Sequence, residues 1–232
     1  MGNYLVSKYI SKTVDDKVIF CGDVSDEIFG SYRGFMNSPD DNDFYTENLK
    51  MIENINFYDV LRSDKSISGA GLEARVPFGD VDFVKYVMSI HPSYKRFDDT
   101  CIEKNILRKA FEGYLPDELL YRRKEAFSDG VSSYQRGWFE IIREHVNKIY
   151  TDEDFIQKCK KFTHNKPYDK ESLYYRELFE KYYPEQAETI PYFWKQPFSK
   201  NLDPSARLLD DYVEEDVNEH EHEHEHEHEH EH

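Results

Sequence analysis

A four-residue apolar run, Val18-Ile19-Phe20-Cys21, stops at Gly22 and passes straight into Asp23-Val24-Ser25-Asp26-Glu27. An apolar run this short, closed by glycine, reads as a buried strand, and the acidic residues after it open a helix. Three carboxylates then stand at the end of a strand, where α/β sheets keep their ligands. Ser25 has the chemistry of an N-cap, and Asp26 and Glu27 fall in the first turn, where the helix dipole favours negative charge. About a hundred residues later comes Arg122-Arg123-Lys124-Glu125-Ala126-Phe127-Ser128-Asp129-Gly130-Val131. The residue types of the acidic segment suit a divalent metal, and those of the basic segment a polyphosphate.

The rest of the chain is helical in pattern. Helices are expected over Asn3 to Ser11, Phe44 to Arg62, Asp80 to Ile90, Glu103 to Glu112, from Pro116, over Tyr134 to Ile149 and over Lys170 to Lys181. Asn3 to Ser11, Phe44 to Arg62 and Glu103 to Glu112 show an apolar face, and Pro92 and Gly113 close two of the segments. Asn37 to Asp43 reads as a polar loop, and Gly69 to Pro77 as an irregular stretch. Beyond Pro184 the prolines exclude long helices. Val18–Cys21 is the one segment with clear strand character. A lone parallel-type strand leaves its backbone donors and acceptors unpaired, so it needs neighbours that this pattern does not offer. The expected fold is therefore mostly α with one or few parallel strands.

Composition narrows the partners. The 232 residues carry a formal charge of −17. The last fourteen, Glu219 to His232, alternate Glu and His, and without their seven carboxylates the remainder still carries −10. An acidic body lacks the positive footprint of a nucleic-acid binder and the basic face of a protein drawn to anionic membranes. No run of about 18 apolar residues is present, so no membrane span is expected. Cys21, Cys101 and Cys159 are odd in number and lack metal-site spacing, which fits free thiols in a reducing cytoplasm. Residues 1–212 read as one partial domain and 213–232 as an acidic low-complexity tail.

Four ordered motifs carry a family resemblance: Gly22 to Gly30, Gly71-Leu72-Glu73-Ala74-Arg75-Val76-Pro77-Phe78, Glu103 to Phe111, and Arg123 to Val131. Tyr174-Tyr175-Arg176 and Asp203 to Arg207 fit the same pattern. From about Tyr4 to about Leu209 the chain resembles the C-terminal half of the synthetase domain of glutamine-hydrolysing asparagine synthetases. The resemblance implies the C-terminal part of an α/β, adenine-nucleotide α-hydrolase-like domain, truncated at its N-terminus. It implies ATP and Mg²⁺ as cofactors, and aspartate plus ammonia or glutamine-derived nitrogen as substrates. The reaction would be amidation of aspartate through a β-aspartyl-AMP intermediate.

By resemblance, Asp26 is the carboxylate for Mg²⁺-pyrophosphate, and Lys124 the cation on the phosphates and the departing pyrophosphate. Gly22 and Ser25 belong to the ATP and pyrophosphate site. Asp23 stands where the family has a glutamate proposed to deprotonate ammonia. Arg62, Glu73 and Arg75 lie in the segment that shapes the aspartate pocket; Glu73 and Arg75 have the alternative of an internal ion pair holding the Gly69–Pro77 turn. Several positions depart from the family pattern. Asp23 is shorter than glutamate by one carbon–carbon bond, roughly 1.5 Å. Val24 replaces a small residue, Ser31 a glycine, Gly79 a leucine and Ala126 a glutamine. The family's N-terminal nucleophilic cysteine and its Ser-Gly-Gly-type pyrophosphate loop have no counterpart in these 232 residues. A second chain supplying the N-terminal half is thus an expected partner. A non-catalytic module docking on a full-length homologue is the alternative, and a β-lactam synthetase-like relative a third.

Overall fold

The computed structural model describes residues 1–122, Lys124, Phe127 and residues 136–199. Most of Arg123 to Val131, the Asp203–Arg207 segment and the 212/213 boundary lie outside the described residues. Helix α1 (Gly2–Thr13) leads to strand β1 (Val18–Phe20), and α2 (Ser25–Phe29) follows at once. Next come α3 (Asp41–Glu53), α4 (Asp59–Ser68), strand β2 (Glu73–Arg75) and α5 (Val81–Ser89). The short helices α6 (Asn105–Ala110) and α7 (Asp117–Leu120) precede α8 (Trp138–Ile149), α9 (Asp152–Cys159) and α10 (Lys170–Tyr182). No helix among the described residues is long and apolar enough to cross a membrane.

The expectation of a mostly helical chain with few parallel strands is met. The missing neighbour of β1, however, is in the sequence. Strand β2 pairs with it in parallel, Val18 opposite Glu73, Ile19 opposite Ala74 and Phe20 opposite Arg75. Its sequence, Glu-Ala-Arg, has no strand propensity of its own, and pairing supplies what propensity does not. Backbone bonds from Glu73 N to Lys17 O (2.7 Å) and from Cys21 N to Arg75 O (2.8 Å) extend the ladder at both ends. Ile19 and Ala74 point inward, whereas Phe20 is 81% exposed.

Other boundaries shift for identifiable reasons. The Phe44–Arg62 pattern is two helices, parted at Asn54 and Tyr58 by a 3₁₀ turn over Ile55–Phe57. The polar stretch before it ends in a cap: Asp40 accepts from the backbone N–H groups of Asn42 (2.9 Å) and Asp43 (2.8 Å). Asp80 caps α5 in the same way. Helix α9 was not expected from the apolar pattern; it is announced by a capping box, with Thr151 and Asp154 each satisfying the other's backbone N–H.

Three apolar clusters hold these elements. Val24, Ile28, Phe29 and Val87 join α2 to α5 and lie beneath the site. Phe35, Phe44 and Met51 pack with Tyr32, Trp194 and Phe198. Val146, Tyr150, Cys159, Phe162 and Leu173 form the centre of the α8–α10 region.

Candidate active site

The turn from β1 into α2 is where the backbone is least ordinary. Val24 has φ +76°, the left-handed region that a β-branched residue avoids at a cost of roughly 1–2 kcal/mol. Ser25 is therefore the first helical residue, and the expectation that it caps α2 is corrected. Its hydroxyl donates to Gly22 O (2.9 Å) and accepts from the Lys104 ammonium (3.0 Å). Gly22 has open space where a side chain would stand. Val24 and Gly79, two departures from the family pattern, are neighbours: a Cβ built on Gly79 would lie 3.4 Å from a Val24 methyl.

Helix α2 is fastened from behind. Gly30 ends it at φ +58°, a conformation glycine adopts freely. A Cβ there would fall 2.4 Å from the Phe44 ring. The buried Lys95 ammonium donates to Ile28 O (3.2 Å) and Asn48 Oδ1 (2.8 Å), and the Asn48 amide donates to Glu27 O. A cation at a helix C-terminus is favourable. With burial as its cause, the Lys95 ammonium's pKa falls to about 8.

On this mount Asp26 faces two lysines. Its Oδ1 lies 2.6 Å from Lys104 Nζ and 2.7 Å from Lys124 Nζ, and it also accepts from the Ser31 hydroxyl. Burial alone would raise the pKa of this carboxyl, but the two ammonium groups outweigh it and hold it well below the usual carboxylate range. Lys124 also donates to Ser31 O (3.1 Å) and stands 4.7 Å over the Tyr32 ring. Lys104 belongs to the Glu103–Phe111 motif but was not singled out from sequence. It sits at φ +56°, just before α6, and 78 positions from Asp26, so no local pattern marks it.

A second group surrounds the Tyr32 hydroxyl, which donates to Glu27 Oε1 (2.6 Å) with Asp59 Oδ2 at 3.4 Å. Asp59 also pairs with Arg62 (2.6 Å). Burial first, then the charge of Asp59, pushes the Glu27 carboxyl up to about 7. The third group is Asp23, whose Oδ2 accepts from the Cys21 thiol (2.7 Å) and from the Ser63 hydroxyl. The shortened carboxylate is thereby anchored to the wall at the end of β1.

Asp23, Asp26, Arg62 and Lys124 line one cleft of about 1530 Å³, together with Ser31, Tyr32 and Asp59. Gly22, which is exposed, and Ser25, which is buried, are not among its lining residues. Glu73 and Arg75 are not among the lining residues. They do pair with each other, but both side chains are more than half exposed, so the pair is on the surface and not internal. No group of three or more His, Cys, Asp or Glu side chains converges on a metal-holding position among the described residues. Asp26 offers one carboxylate, which suits a hard cation held mainly by phosphate oxygens and water.

The family model for asparagine synthase matches residues 36–208. The chain belongs to the asparagine synthase family. It is 42% identical over 208 residues to a probable glutamine-hydrolysing asparagine synthetase of Acanthamoeba polyphaga mimivirus, a match covering 89% of the chain and 38% of that relative. It is 40% identical over 214 residues to the glutamine-hydrolysing asparagine synthetases of Gallus gallus and Homo sapiens, covering 91% of the chain and 38% of each. The chain thus spans a little over a third of the length of these curated relatives. Asp26 and Lys124, both from the quoted motifs, meet in this fold across 98 positions, with Lys104 beside them, and Asp23 lines the same cleft.

Proposed function

We propose that this chain carries the pyrophosphate side of an asparagine synthetase-type site, which amidates aspartate with Mg-ATP through a β-aspartyl-AMP intermediate. The observation that carries this reading is the pair of ammonium groups converging on one oxygen of Asp26. Two cations held 2.6 and 2.7 Å from a single oxygen anion define a place where a phosphate oxygen is welcome. Lys104 and Lys124 would neutralise charge on the departing pyrophosphate, the electrostatic role worth most in such transfers. Asp26, by its carboxylate, would hold Mg²⁺, and the bound ion would withdraw charge from the phosphates.

Arg62 would receive a substrate carboxylate, and its pairing with Asp59 fixes the guanidinium in the cleft. Asp23 would accept a proton from ammonia as it attacks the acyl carbon. The bonds from Cys21 and Ser63 hold the carboxylate in one orientation at the end of β1, as a positioned base requires. Ammonia, or nitrogen from glutamine, completes the set.

The test is aspartate-dependent pyrophosphate release with Mg-ATP and ammonium. The full chain is assayed alone and with the preceding segment of such a domain added as a separate chain. Release that falls about 10²-fold in Lys124→Ala and in Lys104→Ala supports the reading. A folded chain that binds no Mg-pyrophosphate and releases none in either arm overturns it, in favour of a docking role.

A further inference from the structure

Tyr32 touches both halves of the cleft at once. Its ring lies under the Lys124 ammonium at 4.7 Å and meets Trp194 edge-on at 5.3 Å. Its hydroxyl reaches Glu27 and Asp59, and Asp59 holds Arg62. The hydroxyl stands between the Glu27 and Asp59 carboxyls, at 2.6 and 3.4 Å, and so ties the two together in a largely buried place. The ring and the hydroxyl therefore do different work, and they do it for different ends of the cleft.

We propose that Tyr32 is a positioning residue with two separable roles. The ring fixes Lys124 for the phosphate side, and the hydroxyl holds Glu27 and Asp59, and through Asp59 the Arg62 guanidinium, for the carboxylate side. The inference rests on the reading of the cleft given above. It adds that the two subsites share one side chain, which accounts for a tyrosine here where a phenylalanine would fill the same space. A purely structural aromatic would affect both ligands alike. A side chain with separate ring and hydroxyl roles affects them independently.

The experiment is calorimetric titration of the full chain with Mg-pyrophosphate, and with L-aspartate in the presence of saturating Mg-ATP. Tyr32→Phe keeps the ring, so Mg-pyrophosphate affinity stays within about 2-fold while aspartate affinity falls about 10-fold. Asp59→Asn reproduces that aspartate loss without a pyrophosphate loss. Tyr32→Leu removes the ring as well and weakens Mg-pyrophosphate by about 5-fold. Should Tyr32→Leu fail to fold, Tyr32→Phe and Asp59→Asn still decide the matter. Parallel losses of both ligands in Tyr32→Phe, or no loss of either, overturn the proposal. Lys124→Ala and Arg62→Ala serve as controls. If they abolish binding of pyrophosphate and aspartate respectively while the Tyr32 variants show no split, only the inference fails. If the controls have no effect, the reading of the cleft fails and takes the inference with it.

Discussion

Replacing Asp26 by asparagine removes the anion that keeps two lysines together. Each Nζ is within 2.7 Å of the same oxygen, so the two are no more than about 5.3 Å apart. Without the carboxylate, two unit charges at that separation repel by about 3 kcal/mol at an effective dielectric near 20. The lysine side chains are 18% and 25% exposed, so both can relax toward water, which reduces the repulsion to about 1–2 kcal/mol. The charge-assisted bonds become neutral ones, a further loss of about 1–2 kcal/mol. Asp26→Asn should therefore lower stability by about 3 kcal/mol, or about 6–12 °C in Tm for a chain of this size. The assay is thermal and urea unfolding without Mg²⁺, at 20 mM and 1 M NaCl, with and without pyrophosphate. High salt, with a screening length of about 3 Å, should narrow the gap between variant and parent, and pyrophosphate should narrow it further by replacing the lost anion. A variant as stable as the parent at low salt would refute the reasoning. So would a deficit that neither salt nor pyrophosphate reduces.

Glu27 titrates near 7 in the folded chain, above its ordinary value of 4.5, so the folded state holds its proton more tightly. Its contribution to stability is fully present below about pH 4.5 and is lost as pH rises to about 7; Glu27→Gln should flatten urea-unfolding free energies across that window. Lys95 has the opposite sense. Its folded value near 8 lies below the usual 10.5, so the parent should gain stability between pH 8 and 10.5, and Lys95→Met should abolish that gain in the same assay. Gly79→Leu should cost about 1–3 kcal/mol by crowding Val24, and adding Val24→Gly should recover some of it. Additive losses in the double variant would show that the two positions do not share space.

The acidic turn was legible because its residues are contiguous: strand, glycine and carboxylates follow one another. Lys124 was legible through its motif. Lys104 was not, because an amphipathic reading of Glu103–Glu112 makes it a surface helix position, whereas the chain reaches Asp26 from a left-handed residue outside the helix. Strand β2 was hidden for a related reason. Glu73-Ala74-Arg75 becomes a strand only because β1 is beside it. The Glu27–Asp59–Tyr32 group went unread because its members come from α2, α4 and the loop between α2 and α3, and a tyrosine in an aromatic-rich chain carries no mark of its position. The capping box at Thr151–Asp154 was a readable signal, and it would have located α9.

Fifty-two residues separate Phe20 from Glu73, and they include all of α2, α3 and α4. A parallel pair has no hairpin to nucleate it, so β1 and β2 meet only when that whole excursion closes, at an entropic cost of about 3.5 kcal/mol for a flexible loop of this length. Contacts of such sequence separation form slowly. The turn that presents Asp23 and Asp26 hangs from the end of β1, so the site cannot acquire its shape during early, local folding. It arrives with the closing of the sheet, and a substitution that delays α3 or α4 delays the cleft with them.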